Sequence, residues 1–256
     1  MGLSILAFFI SLVPSILIIV WMFKRQKDDL TYKKACKSAL IRGFLSVLPI
    51  LLISGVLYLI TKVFKWTGIA DMYPLLYAAI YNFIVLAFAE ELVKFFSLRF
   101  LLKKKPGNYS WADIVAFMVI IGTAFGLIED IPYAIGANAM TMFIRGLTMG
   151  HVGYGFIMGW FYGKKLQTCK KGYGFLAFLI PWSIHGLYDF SLSKELSAVN
   201  DNFMFLGLGL AALDIALLIM MICFFVKVRK HNLEMYLTPV IFAKEMTEEV
   251  DLSKTL

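Results

Sequence analysis

Charge is scarce in this chain. Asp, Glu, Lys and Arg make up 16% of it, against about 25% in an ordinary water-soluble domain. No stretch has the mixed polar composition of a separate soluble domain, and the longest polar segment is the tail after Val226. The three cysteines, Cys36, Cys169 and Cys223, show no CxxC spacing, which excludes a disulfide framework and a zinc ribbon. Two hydrolase signatures are also missing: HExxH, which would put two zinc-binding histidines on one helical face, and GxSxG, the turn that presents a nucleophilic serine. The net charge of +8 does not indicate a nucleic-acid partner. Its lysines and arginines cluster beside apolar runs, as membrane topology requires, and not along a groove-binding face.

Apolar sequence fills the space that charge leaves. Hydrophobic residues are 60% of the chain and the mean hydropathy is +0.78. The runs are continuous instead of alternating every second residue, so a transmembrane barrel is excluded and the class is an all-α polytopic membrane protein. A span needs about 20 apolar residues to cross about 30 Å of hydrocarbon. Seven segments qualify, predicting a bundle of about seven transmembrane helices over residues 3–23, 43–61, 74–102, 111–129, 140–163, 173–192 and 203–226. The boundary between the fourth and fifth is the weakest, because "IEDIPYAIGANAM" reads equally as a loop or a re-entrant turn. The whole chain, 1–256, is expected to be one membrane-embedded domain, with 227–256 as a cytoplasmic tail.

Orientation follows from the basic residues. Lys24, Arg25, Lys27, Lys33, Lys34, Lys37 and Arg42 follow the first span, Lys103, Lys104 and Lys105 the third, Lys164, Lys165, Lys170 and Lys171 the fifth, and Lys227, Arg229 and Lys230 the last. The opposite side carries Lys62, Lys65, Arg145 and Lys194, of which the first three read as interfacial anchors. The positive-inside rule then predicts a multi-pass protein of the cell membrane with its N-terminus outside and C-terminus in the cytoplasm. Cys36 and Cys169 fall in the basic linkers of the cytoplasmic side.

The few ionisable residues within the spans are the informative ones, because each is costly in hydrocarbon unless paired or hydrated. The third span has Glu90, Glu91 and Lys94; the fourth ends in "FGLIED", with Phe125, Glu129 and Asp130; the fifth has His151 in "HVGYG"; the sixth has His185 and Asp189 in "HGLYD". Asp214 is alone in "AALDIAL", whereas Arg99 and Asp113 sit near cytoplasmic ends where side chains can snorkel. Residues four apart share a helical face, pairing Glu90 with Lys94, Phe125 with Glu129, and His185 with Asp189. Measured from Lys103, Lys164 and Tyr173, the positions of Glu90, His151 and His185 lie 13, 13 and 12 residues in. At helical rise that is about 18–20 Å, past the midplane towards the outer leaflet. Separate spans therefore bring polar groups to one level.

Each pair has a plain structural reading beside the functional one. Glu90–Lys94 serves as a self-neutralising ion pair, His185–Asp189 as an internal hydrogen bond, and Asp130 as a solvated loop edge. Taken together, the groups suit hydrolysis. A carboxylate can take a proton from water, and histidines can stabilise an oxyanion or bind a metal. A divalent ion such as zinc fits a ligand set of Glu129, His151 and His185, and a metal-free mechanism fits the same residues. A proton-coupled transporter or channel with a Glu/His relay is the competing class, and a non-catalytic scaffold is a third. The absence of an obvious internal repeat speaks against transport.

Four motifs in order, EExxK (Glu90, Glu91, Lys94), FxxxE (Phe125, Glu129), His151, and HxxxD (His185, Asp189), resemble the PrsW-type intramembrane proteases. That family is related to the CAAX-prenyl-protease and bacteriocin-processing superfamily, and the likeness covers about residues 75–195. It implies a membrane-embedded peptidase whose substrate is a single-span membrane protein of the anti-sigma-factor type, first cut on the extracytoplasmic side. Lysine in the first motif and glutamate in the second stand where the prenyl-protease branch tends to carry arginine and histidine, so prenylated substrates are not implied. On this resemblance Glu90 or Glu91 is the general base. His151 and His185 orient water and stabilise the oxyanion, or bind metal. Glu129 supports them, Lys94 keeps the carboxylates ionised, and Asp189 orients His185. The expected partners are that substrate and the lipid bilayer, and no nucleic acid.

Overall fold

In the computed structural model, residues 2–104, 108–136, 139–199 and 204–240 are described. Lys105, Phe203 and most of the polar tail, including "KEMTEEVDLSK", lie outside them. The described residues form helices throughout, with one isolated bridge between Ser110 and Pro239. The helices are α1 (Gly2–Lys24), α2 (Leu30–Leu45), α3 (Val47–Trp66), a short α4 (Ile69–Met72), and α5 (Pro74–Ala79), which runs through a π-helical segment (Ile80–Ala87) into α6 (Phe88–Lys104). There follow α7 (Trp111–Gly136), α8 (Ala139–Thr148), α9 (Gly150–Thr168), α10 (Lys171–Ser191), the one-turn α11 (Lys194–Ser197), α12 (Met204–Lys230) and α13 (Glu234–Leu237). Five stretches are long and apolar enough to cross a membrane: within α1, α2–α3, α5–α6, α7 and α12. With 19 and 21 residues, α9 and α10 are also long enough. Their glycines, aromatics and polar site residues make them less apolar, and they complete the bundle of about seven.

Every residue of α7 from 111 to 125 is buried, so this helix is the axis of the bundle. It packs closely on α9 through small residues, as helices in lipid do when no hydrophobic effect draws them together. A Cβ on Gly122 would collide with the carbonyl of His151, and one on Gly155 would lie 2.8 Å from the Met118 carbonyl oxygen. The first of these approaches brings the start of α9 against the middle of α7, where His151 is needed.

Four expectations are revised by the structure. The linker expected after the first span is mostly helix: Tyr32, Ala35, Cys36, Ala39 and Gly43 form a buried stripe against α7 while Lys33, Lys34 and Lys37 stay outside. Asp29 caps this helix by accepting from the Thr31 and Tyr32 backbone N–H groups. Secondly, the ambiguous "IEDIPYAIG" stretch continues α7, with Pro132 inside the helix. The single helix expected over 140–163 is instead broken at Met149, whose backbone is left-handed (φ 43°). That break starts α9 one residue before His151. Finally, Asp113 does not snorkel. It is buried, accepts from the Gln26 amide at 2.6 Å and the Ser110 N–H at 2.9 Å, and pairs with Arg25, fastening α1 to α7.

Candidate active site

The site forms where α6 and α9 begin and where α10 and α7 approach their C-terminal ends. It lies far from the lysine-bearing ends of these helices: Lys103 and Lys104 of α6, Lys164 and Lys165 of α9, and Lys171 of α10. Just before it, the π-helical segment re-phases the chain ahead of Glu90, a use to which such wide turns are often put. The Trp182 indole donates to the Phe83 carbonyl at 2.7 Å and the Ser54 hydroxyl to that of Val85 at 3.0 Å, satisfying acceptors in the irregular turn. Both bonds also tie α10 and α3 to the helix carrying the glutamates.

Glu91 is the anchor. Its Oε1 accepts from the Lys94 ammonium at 2.6 Å and faces His185 Nδ1 at 2.9 Å, with Glu91 and Lys94 both fully buried. The spacing Glu90–Lys94 suggested the stronger pair, yet Lys94 stands 3.7 Å from Glu90 Oε2. The shorter link is to Glu91, three residues back, because Lys94 also reaches His151 Nδ1 at 3.0 Å. Phe125 provides a floor under this cation, 4.7 Å from ring centroid to Nζ, and meets the His151 ring edge-on at 4.9 Å.

Glu90 is left bare. Its Oε2 is buried with no hydrogen bond among the described residues, and it lies 3.9 Å from His151 Nε2 and 3.8 Å from His185 Nε2. His185 Nε2 is also 3.3 Å from Asp189 Oδ2, the i,i+4 pairing that the sequence suggested. His151 Nε2 lies 2.5 Å from Glu129 Oε2, and Arg145 holds Glu129 at 3.1 Å and Asp130 at 2.8 Å. Asp130 is therefore a buried, paired carboxylate instead of a solvated edge, and Arg145 is a site cation instead of an interfacial anchor. Sequence reasoning passed over Arg145 because its partners lie on α7, 15 and 16 positions back.

All eight residues expected at the site meet there. Ligand atoms of Glu90, Glu91, His151 and His185 lie within 4.8 Å of one another. Two atoms bound to one tetrahedral ion at about 2.0–2.2 Å sit about 3.3–3.6 Å apart, so the gap between Glu90 Oε2 and the two Nε2 atoms is a few tenths of an ångström wider than an ion would draw it. His185 fits a ligand when Nδ1–H donates to Glu91 and Nε2, which also lies 3.3 Å from Asp189 Oδ2, carries no proton. His151 fits only if Lys94 releases Nδ1, so that the ring proton moves there and frees Nε2. The Lys94 ammonium can only donate to Nδ1, so the ring proton sits on Nε2, towards Glu129. The donor set thus accommodates one divalent ion held by Glu90, His185 and His151. Glu129 stands behind His151 in this set, and its own contacts are His151 and Arg145.

The far side of the histidines opens on a small cavity lined by Glu129, Arg145, His151, His185, Asp189 and Asp214 among others. Tyr154, one turn on from His151, stacks on His185 with centroids 5.1 Å apart. The i,i+3 spacing within "HVGYG" was its only trace in the sequence.

Carboxylates and imidazoles converge on one point inside a bundle of apolar helices, an arrangement suited to hydrolysis within the membrane. The comparisons with known proteins agree. Residues 33–227 match the model described as PrsW family intramembrane metalloprotease, and the chain belongs to that family. Among its relatives are three proteins named Protease PrsW. That of Oceanobacillus iheyensis is 32% identical over 156 residues, 59% of this chain and 67% of the relative. That of Geobacillus kaustophilus is 29% identical over 136 residues, 51% and 60%. The Clostridioides difficile protein is 28% identical over 201 residues, 73% and 79%. No solved structure matches the chain. The protein is a multi-pass membrane peptidase of the PrsW type.

Proposed function

We propose that this peptidase makes the first, extracytoplasmic-side cut in a single-span membrane protein, of the anti-sigma-factor type implied by the motifs. The observation that carries this reading is the bare Oε2 of Glu90 between two imidazole Nε2 atoms, 3.8 and 3.9 Å away. A buried carboxylate without a hydrogen bond costs stability. In a site that must hold water and a peptide bond, that cost has a use. Glu90 takes one proton from water as the oxygen adds to the peptide carbonyl, and returns it to the nitrogen as the C–N bond breaks. Imidazole N–H groups of His151 and His185 stabilise the oxyanion. Glu91 and Asp189 hold His185 in place, and Glu129 holds His151. An ion bound by Glu90, His185 and His151 would polarise the carbonyl and acidify water; Glu90 would then be a ligand, and Oε2 of Glu91, buried without a hydrogen bond, would be the nearest carboxylate oxygen left to take the proton.

The side of cleavage rests on the basic helix ends opposite the site, which point to a cytoplasmic face at Lys103, Lys164 and Lys171. A 1–256 membrane domain with its N-terminus outside and C-terminus inside accords with this. The test is cleavage of a doubly tagged single-span substrate by the purified protein in proteoliposomes, with products identified by mass. Cleavage on the extracytoplasmic side by the native chain, and none by Glu90→Gln, is expected. Folded native protein that cuts no single-span substrate would sink the proposal. Chelation decides the role of metal: loss of cutting, restored by about one equivalent of zinc, is expected for an ion at Glu90, His185 and His151. Full activity after chelation assigns the reaction to Glu90 as base.

A further inference from the structure

Two acidic groups lining the cavity belong to none of the motifs: Asp130, which is paired with Arg145, and Asp214. Asp214 lies on α12, whose next charged residue is Lys227. It is 1% exposed. A lone carboxylate on a membrane helix is costly unless it has a task, and here its compensation is slight. Asp214 Oδ2 accepts from the Tyr154 hydroxyl at 3.4 Å, and Oδ1 is buried with no hydrogen bond among the described residues. Both residues line the same cavity as His151 and His185. Gly150 leaves the space in which they meet, since a Cβ there would lie 3.0 Å from Asp214 Oδ2 and 3.1 Å from the Tyr154 hydroxyl.

Tyr154 is what links Asp214 to the chemistry. Its ring lies against His185, with centroids 5.1 Å apart and planes at 26°, and edge-on to His151 at 5.8 Å and 84°. A tyrosine on α9 can turn about its side-chain bonds, whereas a hydroxyl held from α12 cannot swing away without breaking that bond. Glu91 and Asp189 hold His185 by its two nitrogens, at 2.9 and 3.3 Å, but both contacts lie at the ring's edge. The stacked tyrosine lies on its face, and the His151 ring meets His185 nearly at right angles, with centroids 5.2 Å apart.

We propose that Asp214 is a positioning residue: by accepting the Tyr154 hydroxyl it sets the ring that packs on His185, and so fixes the plane of the imidazole that serves the peptide bond. This rests on the hydrolytic reading of the site. It extends that site to α12, beyond the four motif-bearing helices, and makes α12 part of the active centre and not only a lipid-facing wall.

Two measurements on the full-length protein in detergent test it. The first is steady-state cleavage of a tagged single-span substrate. Asp214→Ala and Tyr154→Phe should each lower kcat by about 10–100-fold, the range typical of a lost supporting partner, with KM little changed. The double variant should be no worse than either single one, because both remove the same bond. Asp214→Asn, which still accepts from the tyrosine, should recover most of the activity lost in Asp214→Ala. The second measurement is 15N NMR of histidine-labelled protein. The chain has three histidines, and His231, exposed beyond the end of α12, is the internal control. Signals of His185 should move in Asp214→Ala and Tyr154→Phe while those of His231 stay. Additive losses, a change in KM alone, or an unmoved His185 resonance would overturn the proposal. If the native chain cleaves nothing, the hydrolytic reading fails, and the histidine spectra still decide whether Asp214 positions His185.

Discussion

Helices α3 and α7 are both long, apolar and uninterrupted by charge over most of their length, yet they live in different surroundings. Within the most apolar 18-residue stretch of the α2–α3 segment, 17% of residues are buried; within that of α7, 72% are. In lipid, an apolar side chain gains little by turning inward, because the hydrocarbon is as apolar as the core. Hydropathy therefore marks both helices as spans and does not rank them. Small residues and buried polar groups make the distinction. On α7, Gly122 lets a neighbouring backbone into contact and Gly126 leaves room for the His151 ring, 3.2 Å from where a Cβ would sit. On α3, Gly55 faces open space. The interior of this protein carries its close-packed glycines and its paired buried charges.

The sharpest way to separate the two regions is at the site itself. Glu90→Gln or His185→Ala should lower cleavage of a single-span substrate by at least about 10²–10³-fold, with the protein still inserted and folded. Normal cutting by both Glu90→Gln and Glu91→Gln would remove α6 from the mechanism. A comparable isosteric change on α3, such as Leu52→Met at an exposed position, should leave turnover alone.

Next in size is the buried cation. Lys94→Ala strands Glu91, whose partner it is at 2.6 Å, and should cost about 3–5 kcal/mol, as removing one member of a buried pair does. Lys62→Ala on α3, where the ammonium lies exposed 5.6 Å from the Tyr58 ring centroid, should change stability by no more than about 0.5 kcal/mol. Thermal unfolding in detergent reads both, and equal shifts would mean that Glu91 finds another partner.

Packing comes third. Gly155→Val forces a side chain against the Met118 carbonyl and should destabilise by about 1–3 kcal/mol, whereas Gly55→Val should be close to neutral. An unaffected Gly155→Val would show that α7 and α9 can separate at little cost.

The smallest effect concerns labelling and leaves activity untouched. Cys169, exposed at the end of α9, should react with a membrane-impermeant thiol reagent from the cytoplasmic side only. Cys36, buried against the core, should stay unreactive until the protein unfolds. Labelling of Cys169 from outside intact cells would reverse the orientation and the side of cleavage.

Composition and spacing were enough to indicate a helical membrane protein and its approximate spans, and to single out ionisable residues that the fold brings together. Charge in lipid is so costly that Glu90, Glu91, Lys94, His151, His185 and Asp189 announced themselves by being there, and their common depth foretold that they would meet. Local pattern could not say which partner each would take. Lys94 has Glu90 and Glu91 within helical reach, and only the placement of His151 and His185 on other helices settled it in favour of Glu91. Nor could it reveal the burial of α2, because the stripe of Tyr32, Ala35, Cys36, Ala39 and Gly43 is weakly apolar and lies among lysines, and what buries it is the surface of α7. The left-handed turn at Met149, the reach of Arg145 back to α7, and the contact between Asp214 and Tyr154 all join residues whose neighbours in sequence give no hint of one another. Those relations depend on how helices with equally apolar surfaces pack, a choice made by shape and by the need to pair buried charge.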